Sequence, residues 1–127
     1  FRDPMLVQRT LQFAVSPDVR TQDTAQLIGG LLARPRARDA AWTFVKTQWD
    51  MLTKRLGTFQ GIPGIVRTLG SFCSREKAAD IREFFAAHPV PAVERTLRQS
   101  IERVENCAAV AERQSPAASA WLASGSR

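Results

Sequence analysis

The apolar residues of this chain recur every three or four positions, most regularly between Trp42 and Leu56. There Trp42, Val45, Trp49, Leu52 and Leu56 form one stripe, widened by Ala41, Phe44 and Met51. This spacing puts them on one face of an α-helix, which turns once in about 3.6 residues. Nowhere along the chain does an alternation with a period of two make a convincing strand. A chain patterned in this way folds as helices that bury their apolar faces against one another. Its 127 residues suit one domain, and a hydrophobic fraction of 44% excludes disorder.

The same periodicity predicts seven helices. Asp3-Pro4 reads as a cap followed by proline at the first helical position, with Leu6, Val7, Leu11 and Ala14 as the stripe behind it. Asp23 or Thr24 caps a second helix with Leu27, Ile28, Leu31 and Leu32 on its apolar face. Gly29-Gly30 in its middle is costly, which points to close packing, a kink or a backbone held near something else. Pro35 opens the third helix, which runs to about Arg55 and ends at Gly57. Ile62, Ile65, Val66, Leu69 and Phe72 mark the fourth, with Pro63 in its first turn. Ser74 caps the fifth, whose core face is Ala78, Ile81, Phe84 and Phe85 and which stops at His88-Pro89. Pro91 starts the sixth, carried by Val93, Leu97, Ile101, Val104, Ala108 and Ala111. Ser115-Pro116 repeats the cap-plus-proline signal before a last short helix with Trp121-Leu122 and a frayed tail. Helices of unequal length on short loops fit an antiparallel all-α array.

Charge and motifs exclude more than they assign. Eighteen basic against twelve acidic residues leave a net charge of +6. The two signs alternate, as in Arg82-Glu83, Glu94-Arg95, Glu102-Arg103 and Glu112-Arg113, so the surface reads as solvated and no nucleic-acid partner is expected. The densest basic cluster, Arg34, Arg36 and Arg38, sits in a proline-containing linker and is read the same way. No run of about 18 apolar residues offers a membrane span. No H-E-x-x-H, P-loop or C-x-x-C motif is present, and one His with two distant Cys does not suit a zinc site. His88 reads as an exposed helix-end residue near the C-terminal dipole. Glu102, Glu105 and Glu112 read as solvated charges rather than an acid-base pair. Cys73 and Cys107 fall in apolar-periodic segments and read as two small buried hydrophobes; a disulfide requires packing to bring their Cα atoms within about 7 Å.

The third segment reads W-x-F-x-K-x-x-W-D-x-L from Trp42 to Leu52. Upstream lies Arg20-Thr21-Gln22-Asp23; downstream lie Phe72-Cys73-Ser74, Phe84-Phe85, the long segment Glu94 to Asn106, and Trp121-Leu122. Taken in this order, the motifs resemble the C-terminal helical domain of gluzincin aminopeptidases, the zinc enzymes of the puromycin-sensitive and endoplasmic-reticulum aminopeptidase type. Departures are Gln48 where relatives often have Asn, Ala109-Val110 where many carry Trp, and Gly29-Gly30 where several place larger side chains.

The resemblance implies a HEAT- or armadillo-like α-α superhelix. Residues 1–127 would be one helical domain, the last part of a larger one. It implies no catalytic residue, cofactor or metal ligand in this chain, and zinc in the catalytic domain of a parent enzyme. Its expected partners are that upstream catalytic domain and the peptide substrate, which the array would help to enclose and select. Arg20, Gln22, Asp23, Gln26 and Gly29 are the residues it would turn toward the substrate cavity. The competing expectation is a free-standing adaptor that binds a peptide or protein on a concave face. Because the chain begins with Phe1, a trimmed or partial chain is expected, with an exposed apolar patch near Phe1 where earlier helices would pack. Cytoplasmic residence is expected from a free cysteine pair.

Overall fold

The computed structural model describes residues 4–57 and 61–125, with side chains as far as Gln114. Among these residues it is an all-α array of seven helices: α1 (Pro4–Ala14), α2 (Thr21–Leu32), α3 (Arg38–Thr47), α4 (Trp49–Leu56), α5 (Ile62–Thr68), α6 (Arg75–Ala87) and α7 (Glu94–Gly125). Short 3-10 turns at Leu69–Ser71 and Pro91–Val93 precede α6 and α7. Helix α2 lies at the centre, against α1, α3, α4 and α5; α7 closes the other side against α5, α6 and the Leu69–Ser71 turn. One core runs through all of them, from Val7 and Leu11 through Trp42, Leu52 and Ile65 to Ile81 and Val104.

The predicted helix count holds through two errors that offset each other. The expected single helix from Pro35 to Arg55 starts three residues later, at Arg38, and is interrupted at Gln48 (φ −107°, ψ 21°). Next to the break the Thr47 hydroxyl bonds the carbonyls of Thr43 and Phe44 at 3.0 and 3.2 Å, a local competition that bends helices. Because only one residue is irregular, Trp49, Leu52 and Leu56 stay in phase and buried. Conversely, the expected break at Ser115-Pro116 is absent, and the backbone of α7 continues through it to Gly125. The Trp121-Leu122 side chains, like Phe1 and the Asp3 cap, lie outside the described residues.

Other expectations shift by a turn. Helix α2 begins at Thr21, so neither Asp23 nor Thr24 is its cap. Thr24 is fully buried instead and donates a 2.6 Å hydrogen bond to the Ala14 carbonyl, tying α2 to the end of α1. Leu6 points outward and Ala111 is exposed, so neither extends its stripe. Ser74 does cap α6, its hydroxyl accepting from the Lys77 amide at 3.0 Å. Gly57 ends α4 at φ 71°, a left-handed conformation that favours glycine. His88 caps the far end of α6, exposed and stacked 4.4 Å from Phe84.

The joint between α3 and α6 combines aromatic packing with one partly buried carboxylate. Trp42 meets Phe84 edge-on at 5.3 Å, and its indole nitrogen donates to Asp80 at 2.7 Å. Lys46 reaches the same oxygen at 2.9 Å. Burial alone would push the Asp80 carboxyl up, but the bonds from Lys46 and Trp42, with the charges of Lys46 and Lys77, hold it below the ordinary carboxylate range. Arg38, expected as part of a solvated cluster, donates to the Ser71 carbonyl at 2.7 Å and the Ala33 carbonyl at 3.1 Å. It fixes the linker in place.

The two central glycines of α2 differ. A Cβ on Gly29 would meet the Thr68 hydroxyl at 3.4 Å, whereas one on Gly30 would meet nothing within 4 Å. Gly30→Ala should therefore stabilise the chain by about 0.5–1 kcal/mol, through helix propensity alone. Urea unfolding of the variant checks this; a loss of stability would mean that the Gly30 backbone is not the free, exposed helix described.

Candidate functional site

A groove opens between α2 and α5, and small side chains make it. Ala25 and Gly29 on α2 face Gly61 and Gly64 at the start of α5. Where those four positions carry at most a methyl group, the two helices leave about 430 Å³ unfilled, above Leu56. Thr21 and Gln22, and one turn further Gln26, edge the groove from α2, and Arg67 and Thr68 edge it from α5. Its rim therefore offers amide and hydroxyl donors and acceptors and one guanidinium. The Arg67 side chain is exposed and makes no ion pair among the described residues, while its carbonyl accepts from Arg103 at 2.6 Å.

Arg67 also borders a second recess of about 460 Å³ between α5 and α7, with Thr96, Gln99, Glu102, Arg103 and Asn106. This wall is firmly built. Ser100, fully buried, donates to the Val66 carbonyl at 2.8 Å, and Arg103 lies across Gly70, where a Cβ would come within 2.6 Å of its guanidinium. The cation at position 67 thus stands on a rigid backbone between two openings.

Of the residues expected to face a cavity, the structure brings Gln22, Gln26 and Gly29 together in the α2–α5 groove. Arg20 and Asp23 lie around the N-terminus of α2, in a separate, more open recess with Phe13, Asp18 and Leu27, and Gln26 reaches both. The α5 side of the groove was missed. Its signal was present in the Gly61, Gly64, Arg67 spacing, which puts two missing side chains and a cation on one helix face opposite Gly29.

The arrangement can bind but holds no obvious chemistry. Among the described residues no three His, Cys, Asp or Glu side chains come together to hold a metal ion. No helix is long and apolar enough to cross a membrane. On the outer face of α1, Met5, Leu6 and Phe13 are 63%, 47% and 55% exposed, large apolar groups that solvent alone does not favour.

Comparison with known proteins adds a family. Residues 1–106 match the family described as ERAP1-like C-terminal domain. Aminopeptidase M1-C of Oryza sativa subsp. japonica is 36% identical over 104 residues, 81% of this chain and 12% of that protein. Aminopeptidase M1 of Arabidopsis thaliana is 37% identical over 103 residues, 80% of this chain and 12% of that protein. The mitochondrial Aminopeptidase 2 of Saccharomyces cerevisiae is 34% identical over 106 residues, 82% of this chain and 11% of that protein. The chain therefore spans only 11–12% of the length of these relatives.

Proposed function

Because the chain belongs to the family of ERAP1-like C-terminal domains, we propose that it is the non-catalytic C-terminal part of a zinc-dependent aminopeptidase. In this reading residues 1–127 are the end of a larger helical domain that covers the catalytic domain and helps to enclose and select peptide substrates. The aminopeptidase names of its relatives support the parent activity. The observation that carries the substrate role is the groove between α2 and α5, where Gln22 and Gln26 stand opposite Arg67 over a floor of glycine and alanine. An extended peptide satisfies such a rim, its amides by the two glutamines and a carboxylate by the guanidinium. Arg20 and Asp23 flank the same face of α2 and form its outer edge. The apolar outer face of α1, with Met5, Leu6 and Phe13, is the contact with the rest of the parent chain. Zinc belongs to the catalytic domain, and no step of the reaction is assigned to residues of this chain.

The test uses the full-length parent enzyme. Gly29→Leu fills the groove from α2, and Arg67→Glu reverses its charge. Each should raise KM for peptides of eight or more residues by about tenfold, the equivalent of one charge-assisted hydrogen bond. Turnover of a single-residue anilide, too short to reach the groove, should stay as in the unaltered enzyme. Equal kinetics on long and short substrates in both variants would remove the groove from substrate binding. A parent without aminopeptidase activity would overturn the reading entirely and favour a free-standing adaptor.

A further inference from the structure

The two cysteines, expected as separate buried hydrophobes, are joined: Cys73 and Cys107 form a disulfide across 34 residues of sequence, with Cα atoms 5.1 Å apart. Both are exposed. We propose that this disulfide is a redox-operated clamp that holds the distal half of α7 to the start of α6, closed in an oxidising compartment and opened by a dithiol.

The placement of the bond is the first argument. Cys73 sits in the connection between the Leu69–Ser71 turn and α6, between buried Phe72 and the capping Ser74, so its backbone is fixed on both sides. Among the residues whose side chains are described, Cys107 lies close to where the burial of α7 ends. Before it, Ile101 and Val104 are in the core, and Ser100 and Arg103 bond the carbonyls of α5. After it, Ala108 is the last buried residue among those whose side chains are described, and Val110 to Gln114 are all exposed. Past Cys107 the one described ion pair is Arg75–Glu112, whose side chains are 59% and 56% exposed, a class of contact worth about 0–1 kcal/mol. Among the described residues the covalent bond is therefore the main attachment of this part of the helix.

Accessibility is the second argument. The disulfide lies in an open recess of about 350 Å³ beside Asn106, Val110 and Gln114, with no carboxylate in its lining. The carboxylates on either side of it along α7 are already paired, Glu105 with Arg82 and Glu112 with Arg75. An approaching thiolate meets neither a barrier of side chains nor an unpaired negative charge. The step is ordinary exchange. One thiolate of the dithiol attacks one cysteine sulfur, forming a mixed disulfide and releasing the other cysteine as a thiolate. The second thiol of the reductant then displaces the first cysteine. Two electrons and two protons pass to the chain, which ends with two thiols, and the reductant leaves as a disulfide.

An exposed disulfide persists where the surroundings are oxidising. The expectation of cytoplasmic residence rested on a free pair, which the structure replaces with a bond. The family match takes in Cys73 and ends one residue before Cys107, so the clamp joins the matched region to the part of α7 beyond it.

The test compares the full-length protein, purified from an oxidising host, with and without dithiothreitol. Iodoacetamide should label neither cysteine before reduction and both after it. Amide exchange in residues 109–125 should then accelerate at least about tenfold, while residues 42–46 and 62–66 keep their protection. The double variant Cys73→Ser/Cys107→Ser should show the fast pattern from the start and not respond to reductant. Two labelled thiols before reduction, or unchanged exchange in 109–125, would overturn the clamp. So would loss of protection throughout the chain on reduction, or a double variant that does not fold, since the bond would then support the whole fold rather than one helix.

Discussion

Trp42→Ala is expected to cost about 4 kcal/mol of stability, because it removes a fully buried indole and leaves a cavity that α3 and α6 cannot close. The ring lies edge-on to Phe84 at 5.3 Å and stacked with Phe85 at 6.3 Å, and these two rings in turn meet Trp49. The truncation also takes one hydrogen-bond donor from Asp80, leaving Lys46 as its partner. Trp42→Phe separates the two losses. It keeps most of the apolar volume and forfeits the indole N–H, so about 1–2 kcal/mol should suffice. Urea midpoints of both variants measure the difference. If Trp42→Ala lies within about 1 kcal/mol of the unaltered chain, the α3–α6 joint does not hold the fold together as argued.

The second large effect is at Arg55, whose guanidinium closes the corner between α1 and α2. It donates to the Val19 carbonyl at 2.6 Å, the Ser16 carbonyl at 3.0 Å and the Thr24 hydroxyl at 3.1 Å. No carboxylate is among these partners, so the charge is satisfied by carbonyl and hydroxyl oxygens alone. Arg55→Met preserves the aliphatic stem and deletes all three donors; a loss of about 2–3 kcal/mol is expected. Because the corner is local, the change should appear first as faster amide exchange in residues 14–24. A variant with unchanged exchange there would show that Thr24 and the Ala14 carbonyl suffice to hold the corner.

What the sequence made legible was set by side-chain periodicity. The Trp42 to Leu56 stripe was read correctly and is buried, although the helix beneath it breaks at Gln48. Periodicity records which face is inside and is insensitive to one irregular residue. The end of α1 and the start of α2 were harder, because Thr24 looked like a cap and acts as a buried cross-link. Its partner, Ala14, belongs to another helix, so no local pattern announces the bond. The cysteines failed for the same reason: their pairing depends on how α7 crosses the start of α6. On the α2 side of the candidate groove Gly29 stood out as a cost in mid-helix that needed a reason, while Gln22 and Gln26 were named only through the family resemblance. Arg67 did not stand out, because a lone arginine among seventeen other scattered basic residues gains meaning only when Gly61 and Gly64 are seen to face α2.

The aromatic joint also determines how the molecule can be watched. Trp42 and Trp49 touch Phe84 and Phe85, and none of these rings lines the groove between α2 and α5. In a Trp121→Phe background their emission would follow the parting of α3 and α4 from α6. A ligand settling between Gly29 and Gly64 would leave that light unchanged. Intrinsic fluorescence is thus a gauge of folding that is blind to occupancy, and the groove needs a reporter of its own, placed on the rim at Thr21 or Thr68.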